Sequence, residues 1–182
     1  MKKSVLFALL FLSINALNAQ IYIAKSCVIS FFSSSPLEDI EAINTNTKPV
    51  INTTTGDVQM KIAITGFVFE KPLMQEHFNE NYMESEKYPS AIFKGKINEK
   101  IDWTKDGEHK VTVTGTFEIH GVKKERTIDG IVAIKGNEIT ISSKFNIHIA
   151  DYNIKVPSLY VKNIAEDVEV KINAILEPYK KN

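Results

Sequence analysis

Alternation of apolar and polar residues with a period of two is the feature that most restricts how this chain of 182 residues folds. It runs through residues 58–64, 111–119, 139–149 and 168–176, where Val, Ile, Leu, Met and Phe occupy most of the alternate positions. A strand with one apolar face produces this period, because successive side chains point to opposite faces of a sheet. The chain is therefore predicted to be mainly β, with antiparallel strands and an apolar inner face.

Turn and bend signals predict that the strands follow one another and close on themselves. Asp106-Gly107 and Gly136-Asn137 supply residues that tolerate positive φ in tight turns. Glycine inside a strand pattern permits a bulge or bend, and the apolar phase slips around Gly66. Bent strands in this number favour a closed barrel of about eight strands over a flat sheet. The predicted strands are residues 26–34, 48–52, 57–69, 91–103, 110–120, 126–135, 138–149 and 167–177.

Two segments break the strand pattern and predict short helices. The first, residues 36–43, begins with Pro36 and has acidic residues in its first turn, as helix starts prefer. The second begins near Pro72, and Met74, Phe78 and Tyr82 then fall four residues apart on one stripe. A single amphipathic helix among strands is expected to cover the end of the barrel as a lid.

The N-terminal residues have the order of a secretory signal: two lysines, an apolar run too short to span a bilayer, and small residues up to Ala19. We therefore expect a signal peptide at residues 1–19, one domain at residues 20–182 and a periplasmic or secreted location, with no transmembrane segment. Removal of the signal leaves 20 basic against 22 acidic residues, a charge of −2, which does not indicate nucleic-acid binding. Cys27 is the only cysteine, so no intrachain disulfide forms.

The four histidines, His77, His109, His120 and His148, are scattered singly, without the spacing of a metal site. No nucleophile motif or phosphate-binding loop is present. We predict no metal, no cofactor and no catalytic residues. His77 is interpreted mainly as a hydrogen-bonding partner of its own loop backbone. For His120, a role in a turn with Gly121 and a role in ligand contact are equally compatible with the sequence.

The phenylalanines on the predicted inner faces are compatible with two kinds of interior. Eight strands leave room either for packed side chains or for one small ligand. The period of the sequence does not distinguish the two. It does indicate that any ligand inside the barrel touches mainly hydrocarbon.

Two motifs resemble those of the YceI-like family of exported bacterial lipid-binding proteins. The first joins Phe67-Val68-Phe69, Leu73-Met74, His77-Phe78, Tyr88-Pro89 and Phe93, and the second is the strand Val113-Thr114-Gly115-Thr116-Phe117-Glu118-Ile119-His120-Gly121-Val122-Lys123. Phe117 stands where leucine is common in that family, and residues 36–52 are less similar to it. The resemblance implies an antiparallel, lipocalin-like barrel whose apolar cavity holds a polyisoprenoid or another long-chain amphiphile.

The expected function is therefore that of an exported, noncatalytic carrier of one such lipid. The alternatives are an enzyme acting on an apolar substrate in the same cavity, with His77 or His120 as acid or base, and a secreted interaction domain with a solid core. The expected partner is a polyisoprenoid or similar lipid, and a homodimer is left open. The expected ligand contacts are Phe31, Phe69, Leu73, Met74, Phe78, Phe93, Phe117, Ile119, Phe145, Ile147 and Ile172.

Overall fold

The computed structural model describes residues 21–156 and 164–180. The predicted signal peptide lies outside the described residues. The strands are β1 (Ile21–Ser34), β2 (Asp39–Asn44), β3 (Val50–Asn52), β4 (Asp57–Ala63), β5 (Val68–Phe69), β6 (Ser90–Ile97), β7 (Gly107–Ile119), β8 (Val122–Lys135), β9 (Glu138–His148) and β10 (Asp167–Pro178). One α-helix, α1 (Pro72–His77), continues into a π-helical turn, Phe78–Tyr82, and two short 3-10 helices occupy Ile64–Gly66 and Ile149–Tyr152.

Eight strands form a closed antiparallel barrel, as the sequence predicts. The order around the barrel is β1, β3, β4, β6, β7, β8, β9 and β10, and β10 pairs with β1 to close it. Strands β2 and β5 continue the wall at one end of this ring: β2 pairs with the C-terminal half of β1, beyond the residues that pair with β3, and β5 pairs with β2. The fold is therefore mainly β, with one short helical segment.

The two ends of the barrel differ in what connects the strands. At one end lie the β4–β6 connection with α1, the β7–β8 hairpin and the start of β10. We call this the helical end. The β3–β4 turn, the β6–β7 loop and the two-residue β8–β9 turn at Gly136 and Asn137 lie at the opposite end. Gly136 has a φ of 58°, in agreement with the turn predicted there.

The long strands are placed correctly by the alternation, but some of their bounds differ. The predicted strand 126–135 begins earlier, at Val122, and the predicted strand 91–103 ends earlier, at Ile97. β1 begins at Ile21, whereas the alternation predicts residues 26–34. The pairing of β1 with β10 shifts register between Ala24 and Ser26. Tyr22 and Ala24 are buried before this irregularity, and Cys27 is buried after it. The step from Ala24 to Cys27 is three residues, so the period of two is interrupted in the sequence.

Two local predictions are wrong. Residues 36–43 were expected to form a short helix, but β2 occupies most of this stretch, since its inner side chains pack inward and its backbone pairs with β1. Residues 57–69 were expected to form one strand, but the 3-10 helix Ile64–Gly66 divides it into β4 and β5. The phase slip at Gly66 thus marks a break between strands and not a bulge within one.

The core is most densely packed at the end opposite the helix. Tyr22, Ile51, Ile139 and Leu176 are each at most 5% exposed and come from four different strands at that end. The close approach of β6 and β7 also belongs to this half, where Gly95 and Gly115 face each other across the two strands. The densely packed base therefore leaves the larger internal space at the helical end.

Candidate functional site

An apolar cavity of about 460 Å³ occupies the helical end of the barrel. Its walls come from β1, β2, β4, β5, β6, β7, β9 and β10, and from the helical segment. The lining residues are Ile29, Phe31, Ser33, Glu38, Ile40, Ile62, Ile64, Phe67, Phe69, Lys71, Leu73, Met74, His77, Phe78, Tyr82, Met83, Ala91, Phe117, Ile119, Ile147, Ile149, Ile154, Val156, Ile164, Val168 and Val170. Most are hydrocarbon, so the cavity favours an apolar occupant by the hydrophobic effect.

Four phenylalanines form one side of the cavity. The ring centroid of Phe78 lies 5.4 Å from that of Phe31, 5.8 Å from that of Phe67 and 5.0 Å from that of Phe69. These separations are typical of aromatic pairs in protein cores. The cluster joins β1, β5 and the helical segment, so the lid is held to the barrel by side chains that also line the cavity.

The helical segment presents the predicted stripe to the cavity. Met74, Phe78 and Tyr82 all line it. The backbone N–H of Met83 donates to the carbonyl of Phe78 at 2.9 Å, which closes the π-helical turn. A π-helical turn is closed by a hydrogen bond between residues five apart, one residue more than in an α-helix, and such turns are frequent at functional sites. No residue of α1 or of the turn is fully buried.

Polar and exposed groups mark the mouth of the cavity. Lys71 Nζ lies 2.7 Å from Glu38 Oε1, so the start of α1 is paired with the β1–β2 connection. The carboxylate of Glu38 raises the pKa of Lys71 through this hydrogen bond. Leu73 beside them is 60% exposed although it also lines the cavity. Ser33, buried below the mouth, accepts a hydrogen bond from the backbone N–H of Ala165 at 2.9 Å.

A second, smaller cavity of about 90 Å³ lies deeper in the barrel, toward the packed end. Its lining includes Met60, Phe93, Val111, Phe145 and Ile172, and it is mainly apolar. The ring centroid of Phe117 lies 5.6 Å from that of Phe93 and 6.2 Å from that of Phe145. These three rings form a layer across the barrel between the two spaces.

The predicted ligand contacts divide between the two cavities. Phe31, Phe69, Leu73, Met74, Phe78, Phe117, Ile119 and Ile147 line the large one. Phe93, Phe145 and Ile172 line only the small one. Residues that the sequence did not single out also line the large cavity, among them Ile40 and Ala91. Ile40 belongs to the segment expected to be helical, so its inward direction was missed with that strand.

The structure assigns His120 to a turn. His120 and Gly121 both have positive φ, 51° and 73°, in the two-residue β7–β8 hairpin. The His120 ring lies against Tyr88, with centroids 4.4 Å apart. Its Nε2 is 2.8 Å from a carboxylate oxygen of Glu84, and its Nδ1 is 3.2 Å from the carbonyl of Tyr152. His120 thus links three connections at the helical end and is not among the described residues that line the cavity.

His77 lies at the mouth and lines the cavity. Within residues 21–156 and 164–180, no group of three or more His, Cys, Asp or Glu side chains is arranged to hold a metal ion. Over the same residues, no helix is long and apolar enough to cross a membrane. Cys27 is buried in β1, and burial raises the pKa of its thiol to about 11.

Comparison with known proteins gives a family match and several similar structures. The model of the YceI-like domain matches residues 34–176. No curated protein matches the chain. A polyisoprenoid binding domain from Saccharophagus degradans, implicated in plant cell wall breakdown, is 17% identical with a TM-score of 0.74, over 87% of this chain and 98% of that one.

Two further solved structures share the fold. Burkholderia cenocepacia BcnA is 20% identical with a TM-score of 0.68, over 82% of this chain and 95% of that chain. A Campylobacter jejuni YCEI protein is 16% identical with a TM-score of 0.57, over the full length of both chains. At these identities the comparisons show a common barrel architecture.

Proposed function

We propose that this chain, which belongs to the YceI-like domain family, is an exported, noncatalytic carrier that holds one polyisoprenoid or similar long-chain amphiphile in its barrel. The observation that carries the proposal is the cavity of about 460 Å³ with almost entirely hydrocarbon walls. Small-molecule sites commonly occupy roughly 300–1,000 Å³. The similar Saccharophagus degradans domain is described as polyisoprenoid binding, which supports the same class of ligand here.

The arrangement of polar groups supports an amphiphile with its tail inward. Glu38, Lys71 and His77 line the cavity at the mouth, whereas the deep wall around Phe117 and Ala91 is apolar. A tail that leaves water for this wall gains about 0.8 kcal/mol for each buried methylene, before the cost of ordering a flexible chain. A polar head group at the mouth remains within reach of water and of the charged pair.

A carrier role and export are part of the same proposal. The apolar run and small residues of the N-terminal 19 residues support export. The engagement of both His120 nitrogens by Glu84 and the Tyr152 carbonyl supports a structural role for the histidine that was the second candidate acid or base. An internal cavity argues against the third alternative, an interaction domain with a solid core.

The first test is direct identification of the ligand. The protein is purified from the cells that make it, extracted with organic solvent and analysed by mass spectrometry. We expect an isoprenoid lipid in stoichiometric amount, or uptake of an isoprenoid quinone or alcohol by the delipidated protein. A protein that is isolated empty and then refuses both kinds of isoprenoid contradicts the proposal.

A matched pair of variants tests whether the cavity is the binding site. Ala91 is 6% exposed and lines the cavity, so Ala91→Trp places an indole in the space of the ligand. Ala63 is exposed on β4, one position beyond the residue that pairs with Ala91, so Ala63→Trp adds the same group outside the barrel. We expect Ala91→Trp to weaken lipid binding at least about tenfold, the effect of losing roughly 1.4 kcal/mol. Equal binding by the two variants would place the lipid elsewhere.

A further inference from the structure

The ring of Phe117 separates the two internal cavities. Among the described residues that line either cavity, Phe117 alone lines both. Its side chain is only 3% exposed, and it contacts Phe93 and Phe145 edge-on or tilted. The large cavity of about 460 Å³ lies on one side of this ring, and the small one of about 90 Å³ lies on the other.

The two cavities follow each other along the same strands. In β6, Ala91 lines the large cavity, and Phe93, the next inward residue, lines the small one. In β9, Ile147 and Phe145 are related in the same way, as are Val170 and Ile172 in β10. One step of two residues toward the packed end therefore leads from one space to the other, so the small cavity lies on the path that an entering tail would take.

We infer that Phe117 forms the floor of the lipid cavity and sets the longest tail that the barrel admits, with the space behind it as a closed extension. The inference rests on the proposed function, since it concerns which isoprenoid the same cavity accepts. A tail that is too long for the large cavity must leave apolar atoms in water at the mouth, and it gains nothing from the small cavity while the ring of Phe117 stands in between.

The packing around the ring explains why the floor is fixed. A Cβ on Gly95 would lie 2.8 Å from the ring of Phe93, so the missing side chain provides the space in which that ring rests. Phe93 pairs directly with Phe117 across β6 and β7. The buried Phe93 on one side and the partly buried Phe145 on another are aromatic neighbours that hold the Phe117 ring across the barrel.

Binding of a ladder of all-trans prenols, each one isoprene unit longer than the last, tests the inference. The natural protein, Phe117→Leu and Phe117→Ala are compared by competition in native mass spectrometry. We expect the preferred prenol of both variants to be longer, with affinity for prenols beyond the natural preference higher by up to about fourfold for each additional buried methylene. Phe117→Leu retains an apolar side chain and serves as the test if Phe117→Ala does not fold.

Ile139→Ala is the matched control. Ile139 lies in β9, is 1% exposed and is among the described residues that line neither cavity. Its replacement also removes buried hydrocarbon but leaves the ring of Phe117 in place, so the preferred prenol length should stay as in the natural protein. The same lengthening in Ile139→Ala and Phe117→Leu, or no lengthening in either Phe117 variant, overturns the inference while leaving lipid binding intact.

Two further results separate this inference from the proposed function. Refusal of every prenol by the natural protein refutes the proposed function and the inference with it. A crystal structure of lipid-free Phe117→Leu gives a measurement that needs no ligand, and we expect the two spaces to be continuous in it. Two cavities that remain separated by another side chain would show that Phe117 is not the barrier.

Discussion

The substitution Gly115→Ala tests how closely β6 and β7 approach each other beside the cavity floor. A Cβ on Gly115 would lie 2.3 Å from the Cα of Gly95 and 2.3 Å from the carbonyl oxygen of Lys94. Both atoms belong to the backbone, so a change of side-chain rotamer cannot relieve the contact. The two strands must move apart where Gly95 and Gly115 pair.

The expected cost follows from two opposing contributions. Ala is ordinarily better than Gly in a strand by roughly 0.5–1 kcal/mol. Against this, overpacking a dense core costs about 1–3 kcal/mol, and stretching the neighbouring backbone hydrogen bonds costs about 0.5–1.5 kcal/mol each. We expect Gly115→Ala to lower the free energy of unfolding by about 2–4 kcal/mol.

Urea denaturation followed by circular dichroism measures this loss, with Gly130→Ala as the control. Gly130 lies in β8, where the nearest atom to an added Cβ is the Ser142 carbonyl oxygen at 3.2 Å and the next is 3.8 Å away. A small shift accommodates that methyl group, so we expect a change within about 1 kcal/mol. If Gly115→Ala is no more destabilising than Gly130→Ala, the close approach of β6 and β7 does not constrain this position.

Four further predictions concern three side chains. Because burial raises the pKa of the Cys27 thiol to about 11, about one thiol in a thousand is ionised at pH 8, and iodoacetamide should label the folded protein only after denaturant is added. The same shift predicts that stability falls as the pH rises from about 8.5 toward 11, since only the unfolded chain then loses the thiol proton. His120→Ala removes hydrogen bonds to Glu84 and to a backbone carbonyl and should cost about 1–3 kcal/mol in urea denaturation, and an unchanged midpoint would contradict this role. His77→Ala should leave isoprenoid affinity nearly unchanged, and abolished binding in a folded variant would show that polar contacts dominate.

The barrel was predictable because most of its strands bury one face. In β10, for example, Val170, Ile172, Ala174 and Leu176 are all buried, so the period of two in the sequence reflects the core directly. The helical segment was predictable for a similar reason, since its apolar stripe points to the cavity. Membership of the YceI-like domain family confirms the resemblance found in the motifs.

The errors arise where strand pairing and buried side-chain contacts outweigh local preference. Pro36 and the acids after it favour a helix start, yet Ile40, Ala42 and Asn44 point inward, and β2 gains backbone pairing with β1 and β5. Asn44, fully buried, donates to the carbonyl of Ala63 at 2.9 Å and so secures this strand to the end of β4. The Asn44 contact spans 19 residues, and Ile43 and Val68, which pair between β2 and β5, lie still further apart in the chain. No local pattern contains these contacts.

The division of the barrel interior into two cavities could not be predicted from the sequence, for another reason. Phe93 and Phe117 occupy inward-facing positions in the alternation, as many other strand residues do. Whether such a ring fills the interior or borders a cavity depends on how closely the opposite walls of the barrel approach each other. That distance is set by Gly95 and Gly115, which let β6 and β7 lie together at this level. The glycines are visible in the sequence, but their pairing depends on the register of the two strands.

The densely packed base of the barrel has a consequence for how the molecule fluctuates. Regions with many buried contacts open only when nearly the whole protein unfolds. Regions with few buried contacts open at a lower cost in free energy. In hydrogen exchange, amides around Ile51, Ile139 and Leu176 should therefore be the slowest, and those of the helical segment should be faster. We therefore expect the base to be the most stable part of the fold, and the protein without a ligand to lose order first at its helical end.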